Sequence, residues 1–357
     1  MSILFSLFFA ILIFSFLIFV HELGHFVTAK LSGVQVNEFS LFMGPAIFKK
    51  QVGETLYAIR SIPVGGYCAM EGEDGDTDNP RSFQKAAWWK RLIILVAGSA
   101  MNFIAGVILF FVVLVPNDQF LSPEIATIEP WCTIAGEEGI QVGDRIWAVD
   151  GSRVYVNSDF SLILTVNPGD VHDLVLMRDG EKVVLDDFRM ERHPVTQEDG
   201  SQRMLFGFSF TIKDATLMEK IRYAWDMSLS TVSSIPLSFR MIFSGQAGVE
   251  DVTGVVGIVH MMSDTAANSE TVSLAVLNML SFGAFLAINL AVMNLLPIPA
   301  LDGGRVFGLL IITLIETIIR RKINPKYEGY IHGVGMVLLL ALMALITLKD
   351  VVQIFRG

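Results

Sequence analysis

The chain has 357 residues, 52% of them hydrophobic and 17% charged, with a net charge of −10. That apolar balance excludes an ordinary soluble globular protein. The acidic balance, with no basic block, argues against a nucleic-acid partner. The two cysteines, Cys68 and Cys132, form no CxxC pair and read as unpaired thiols.

Residues 1–20 carry no Lys or Arg and lead to no small-residue cleavage site, so the first apolar run reads as a retained span rather than a signal peptide. Runs at 3–27, 92–115, 274–299 and 331–348 are long enough, or nearly so, to cross a bilayer. A fifth run, 306–319, contains Glu316 and is short, and it reads as a buried or interfacial helix. Lys30, Lys49, Lys50, Arg60, Arg81, Lys85, Lys90 and Arg91 place the loop 28–91 in the cytoplasm. Arg305, Arg320, Arg321, Lys322 and Lys326 do the same for 303–330, which leaves 117–272 and both termini outside.

The layout is therefore a polytopic α-helical membrane protein with four transmembrane helices, a cytoplasmic β-loop region and one extracytoplasmic β-rich domain. In chain order these are a first span, 1–30; a β-loop region, 31–91; a second span, 92–116; and the β-rich domain, 117–212. An amphipathic membrane-surface linker, 213–272, precedes a third span, 273–304; a cytoplasmic or interfacial helix, 305–329, precedes the fourth span and C-terminus, 330–357. Short alternating runs between turn signals such as Val149-Asp150-Gly151 and Arg178-Asp179-Gly180 support the β assignment. Trp225, Phe239 and Phe243 suit a helix at the membrane surface.

The first span ends in His21-Glu22-Leu23-Gly24-His25. Helical residues four apart lie on one face, so His21 and His25 can direct two imidazoles at one ion, with Glu22 beside them. This is the H-E-x-x-H spacing of zinc hydrolases. Charged groups at mid-membrane cost about 2.5–3.5 kcal/mol each on insertion scales, and ligation of neutral imidazole offsets part of that. A third protein ligand is needed. His172, His193 and His260 fall on the outer side, and His332 stands alone at the start of the fourth span. Asp302, in NLLPIPALDGG (294–304), is the better candidate, because Pro297 and Pro299 break the helix at membrane depth. Glu316 is a weaker rival. In the acidic loop 71–80, Asp74, Asp76 and Asp78 have calcium-loop spacing, but Asn79 and Lys85 occupy the wrong places, so the loop reads as solvated.

HELGH in a first span, LDG in a third and a domain between them resemble the site-2 protease family of intramembrane zinc metalloproteases, in its bacterial RseP-like branch. SIPVGGYCAM (61–70), AGSAMNF (97–103), GIQVGDRIWAVDG (139–151) and VTGVVGIVHM (252–261) extend the likeness over nearly the whole chain. The resemblance implies Zn2+ held by His21, His25 and Asp302, Glu22 as general base, and a PDZ-like fold for the outer domain. It implies a multi-pass protein of the bacterial inner membrane, with its active site near the cytoplasmic side. The implied partners are lipid and single-span substrates, such as anti-sigma factors and remnant signal peptides, that a site-1 type protease has already trimmed. Arg305 departs from the family pattern, where many relatives have His.

A substrate helix must be unwound before it is cut, and strand addition would satisfy its freed backbone groups. The candidates for substrate contact are Thr55, Leu56, Tyr57, Gly65 and Gly66 of the β-loop, together with the Asn294 amide. Asn102 reads as packing glue between spans. Two other readings are a non-catalytic PDZ membrane adaptor and a membrane zinc protease of another family with a glutamate third ligand.

Overall fold

The computed structural model describes residues 3–356 apart from 74, 76, 197–200, 249–253 and 321–325. Asp74 and Asp76 of the acidic loop, and Arg321 and Lys322 of the basic one, therefore lie outside the described residues. The chain divides into two units, residues 1–109 with 250–357, and residues 110–249.

Helix α1 (Ile3–Ser32) is apolar on every side until His21, the pattern of a span rather than of a surface helix. It stops at Gly33, whose φ of 81° ends the helix in the left-handed region. The Gly33 and Val34 amides donate to Lys30 O and Ala29 O at 3.1 and 2.9 Å, the paired bonds of a Schellman cap. Strands β1 (Val36–Val52) and β2 (Thr55–Met70) then form an antiparallel hairpin that turns at Gly53-Glu54. Residues 38–41 also align in ascending order with 56–59, from Glu38↔Leu56 to Leu41↔Ile59. The first part of β1 thus lies between the two halves of β2.

Helix α2 (Trp88–Leu114) returns across the first unit. Among the strands and helix of the second unit are β3 (Gln119–Ile128), β4 (Arg145–Val149), β5 (Ser152–Arg153), α3 (Asn157–Val166), β6 (Val171–Arg178) and β7 (Glu181–Arg189). After them come the hairpin β8 (His193–Thr196) and β9 (Gln202–Leu205), then β10 (Phe208–Asp214). The main sheet runs β10-β3-β4-β6-β7, with β5 paired to β4. Two predicted turns appear as two-residue hairpins, Asp150-Gly151 and Asp179-Gly180, all four residues at positive φ. Phe160, Ile163 and Leu164 of α3 fill a core with Ile125, Ile146, Val149, Leu174 and Leu176. Asp144 is 1% exposed and receives two hydrogen bonds from Arg178, at 2.8 and 2.7 Å. Helix α4 (Leu217–Phe243) starts at a Thr216–Glu219 capping box and is tied to the domain by the Ser230 hydroxyl, which donates to Asp159 at 2.5 Å. It exposes Trp225 and Phe243.

The first unit resumes with α5 (Val255–Ala267), α6 (Val272–Met293), α7 (Asp302–Ile319) and α8 (Lys326–Arg356). The stretch 213–272, expected as a single surface linker, contains two helices. Of these, α5 is packed inward: its Met262 and Ala266 are buried with Ala10, Ile13 and Leu17 of α1 and Met279 of α6. The helix of the third span stops at Met293, short of the expected 299, because Pro297 and Pro299 lack the amide a helix needs and disfavour helix just before them. Cys68 and Cys132 are free thiols, each buried in the core of its own unit.

Among the described residues, four helical stretches are long and apolar enough to cross a membrane: Leu7–Ser32, Trp88–Leu114, Val272–Met293 and Gly333–Val352. Phe8, Leu12 and Phe16 of α1 and Val334, Val337 and Leu338 of α8 point outward. Such continuous apolar faces belong in lipid, since water would penalise them.

Glu54 anchors the β1–β2 turn. It accepts hydrogen bonds from Lys30 Nζ at 2.6 Å and from Arg81 Nη1 and Nη2 at 2.6 and 2.9 Å. Hydrogen bonds from Arg81 first, and then Lys30, hold its carboxyl down at about 2, against an ordinary 4.5. A depressed carboxyl stabilises the folded form fully above its unfolded value and loses that contribution as pH falls through the folded one. Hydrogen-exchange protection of the turn should therefore fall between about pH 4.5 and 2. Glu54→Gln should show the weakened turn already at neutral pH, and equal protection in the two proteins there would refute the anchoring role.

Candidate metal centre

Two stripes of residues meet where α1 crosses α2. On α1, His21 and His25 are one turn apart; on α2, so are Gly98 and Asn102. A Cβ on Gly24 would stand 2.5 Å from Ala97 O, and one on Gly98 would overlap His25 Nε2. Only the missing side chains let the helices approach this closely. His25 is 7% exposed, and its Nδ1 lies 2.8 Å from Ile94 O. A carbonyl oxygen can only accept, so in the neutral ring the proton sits on Nδ1 and Nε2 keeps its lone pair.

Asp302 arrives from the far end of the chain. After α6, the backbone makes tight turns through the two prolines, with Ala300 at φ 83°. The Gly303 amide then donates to Asn294 O at 2.6 Å, closing the loop on itself. A side chain at Gly303 would overlap the backbone of Leu295 and Leu296. Asp302 becomes the first residue of α7, where the helix dipole favours a carboxylate.

The outcome is one convergent cluster. Asp302 Oδ2 lies 3.0 Å from His21 Nε2 and 3.3 Å from His25 Nε2, and the two Nε2 atoms are 3.2 Å apart. Asp302 Oδ2 is buried with no hydrogen-bond partner among the described residues. Such a meeting of acceptors costs on the order of 1–3 kcal/mol for each one left unsatisfied. A cation reverses the sign. Ligands about 2.0–2.1 Å from a tetrahedral ion stand about 3.3 Å from one another, close to the spacings seen. The donor set therefore fits a divalent cation, with the fourth position left to water or substrate.

The other expected site residues separate into two groups. Glu22 stands one residue from His21, and Gly66 packs against it: a Cβ on Gly66 would lie 3.7 Å from Glu22 Cγ. Gly65 is adjacent, and Asn294 caps α6 at the loop that carries Asp302. Thr55, Leu56 and Tyr57 do not offer a substrate edge. Thr55 is buried and its hydroxyl donates to Val36 O at 2.7 Å. Leu56 and Tyr57 have strand partners on both sides, Gln51 and Lys50 on one and Glu38 and Phe39 on the other. Glu316 lies fourteen residues beyond Asp302 along α7, roughly 21 Å away, and is not part of the cluster. His172 is paired with Asp150 at 2.9 Å, and His260 with Asp264 at 3.0 Å.

Sequence reasoning missed two neighbours of the site. Arg305, one turn after Asp302, forms an ion pair with Glu73. The acidic loop, expected to be solvated, is thus fastened at Glu73 to the helix that carries the carboxylate. Gly98 was legible only as a packing residue; its spacing of four from Asn102, matching that of the histidines, was the available signal.

Residues 9–342 match the profile of Peptidase family M50. The chain belongs to that family, the site-2 proteases. A Clostridium perfringens protein named as a candidate zinc metalloprotease is 37% identical over 346 residues, covering 96% of this chain and 98% of its own. A similarly named Fusobacterium nucleatum protein is 32% identical, covering 97% and 98%. The regulator of sigma-W protease RasP of Bacillus subtilis is 26% identical over 428 residues, covering 97% of this chain and 98% of its own. The matched range includes both HELGH and the aspartate of LDGG, the two segments that converge here.

Gly98→Ala should lower metal retention about tenfold or more, since overpacking costs ~1–3 kcal/mol and the new methyl falls on His25. Ala100→Val, on the exposed side of the same helix, should leave metal content unchanged. Equal metal content in all three proteins, measured by elemental analysis after dialysis, would refute the packing account.

Proposed function

We propose that this peptidase is a zinc-dependent endopeptidase of a bacterial inner membrane that cleaves single-span proteins within or near the bilayer. The observation that carries the reading is the cluster of His21, His25 and Asp302 beside Glu22, with both histidines on an apolar helix long enough to span a membrane. The names of the relatives, zinc metalloprotease and regulator of sigma-W protease, support it.

In this reading His21 and His25 would hold zinc through Nε2 and Asp302 through Oδ2. When bound, zinc supplies a Lewis acid that lowers the pKa of water to about 7 and polarises a carbonyl. Glu22 takes the proton from the attacking water on a carboxylate oxygen and delivers it to the departing amine nitrogen. The substrate helix is unwound before cleavage, and its freed backbone groups find partners on the last part of β2, from Gly65-Gly66 onward, and on the Asn294 amide. In β2, residues 66–70 have one strand partner among the described residues, the first part of β1, and their start adjoins Glu22. This makes them a better platform than the doubly paired 55–57.

The basic loops set the orientation: the site near the cytoplasmic face, the second unit and both termini outside. The outer domain is read as PDZ-like. Its edge strand β10 and helix α3 bound a groove of about 520 Å³, lined by Phe160, Leu164, Phe208, Phe210 and Arg192. The groove suits an extended chain added to β10, and the domain's bulk suits exclusion of untrimmed substrates. Single-span proteins already shortened outside by a site-1 type protease, anti-sigma factors and remnant signal peptides among them, are the substrate class.

Glu22→Gln should cut cleavage of a single-span substrate by about 10²–10⁴-fold while keeping metal, and Asp302→Ala should lose the metal itself. Cleavage by Glu22→Gln at the wild-type rate, or full metal content in Asp302→Ala, would refute this assignment.

A further inference from the structure

An imidazole that offers Nε2 to a cation carries its proton on Nδ1 and needs an acceptor there. His25 has one in Ile94 O, 2.8 Å away. For His21, the neighbour at Nδ1 is Asn102, whose amide nitrogen lies 3.4 Å away. Asn102 is 1% exposed, and its Oδ1 is buried with no hydrogen-bond partner among the described residues. An N–H facing an N–H and an empty acceptor one atom away are a single fault with one remedy. A half-turn of the amide exchanges its oxygen and nitrogen in nearly the same space. It sets Oδ1 against His21 Nδ1–H and satisfies both groups.

We propose that Asn102 is a positioning residue of the metal centre, accepting the Nδ1–H hydrogen bond of His21 through Oδ1 and so fixing that ring's tautomer and direction. Asn102 takes for His21 the part that a backbone carbonyl takes for His25. The two supports come from the same helix, α2, eight residues apart. The proposal rests on the reading of His21 as a metal ligand. It replaces the expectation that Asn102 is packing glue between spans.

The test is the zinc affinity of the full-length protein in detergent, measured by competition with a chelator of known affinity. Wild type must first bind one zinc; if it does not, the metal reading fails and this inference goes with it. Given that binding, Asn102→Leu should weaken zinc affinity about 10–100-fold, the usual effect of losing an outer partner of a ligating histidine. Asn102→Asp keeps an acceptor at the same place and should stay within the wild-type order of magnitude. A packing role gives the opposite order, because leucine fits an apolar helix contact while a buried aspartate charge is costly. Asp binding more tightly than Leu supports the inference; equal or reversed affinities overturn it. If Asn102→Leu cannot be recovered folded, Asn102→Ala, a strong helix former without an acceptor, replaces it in the same comparison.

Discussion

Gly24 and Gly98 occupy the crossing of α1 and α2, and neither position has room for a side chain. This contact is the constraint on which the first unit depends. It brings α2 near enough for Ile94 O to reach His25 and for Asn102 to face His21. A crossing one methyl wider would leave both imidazoles without outer partners and free to rotate. Close approach of small residues is the usual source of helix association in lipid, where no hydrophobic gain separates one apolar surface from another. Here the same economy of side chains also frames the cluster that could hold a metal.

The second half of the centre is made by breaking a helix instead of packing one. Pro297 and Pro299 end α6, and the turns that follow recover part of the lost backbone pairing through Gly303 N–H to Asn294 O and Leu301 N–H to Ile298 O. The break places Asp302 at a helix start, which favours its negative charge. The ion pair of Arg305 with Glu73 then links this helix to the loop that follows β2. One continuous set of contacts therefore runs from the carboxylate to the hairpin beside Glu22.

Much of this was legible in the sequence, for identifiable reasons. Long apolar runs mark spans because lipid accepts little else, and the Asp-Gly turns mark hairpins because few residues adopt positive φ cheaply. The i, i+4 histidines define a face without further information. The pairing of 55–57 was not legible, since a β-prone run says nothing of how many neighbours it acquires; β1 folding back between two halves of β2 is a long-range event. Helix α5 was missed for a related reason. Its 13 residues are too few for a span, and its buried face becomes apparent only when Met262 meets α1. Arg305 stood out in the sequence as a departure from its relatives, yet its partner lies 232 positions away.

Two buried polar side chains in the spans show how satisfaction distinguishes scaffold from site. Asp350, 4% exposed on α8, accepts hydrogen bonds from the Gly254 and Gly257 amides at 3.0 Å each, meeting the start of α5. These bonds are what a carboxylate at a helix start provides, and a structural role accounts for them. Asn102 has its nitrogen near a ring nitrogen and its oxygen buried with no hydrogen-bond partner among the described residues. Burial alone does not separate the two residues, since both are almost fully enclosed. What separates them is that one network closes within the protein, while the other leaves an acceptor unpartnered beside a cluster, His21, His25 and Asp302, that could hold a cation. In an apolar medium, where incomplete polar networks are heavily penalised, such a gap belongs with chemistry rather than with packing.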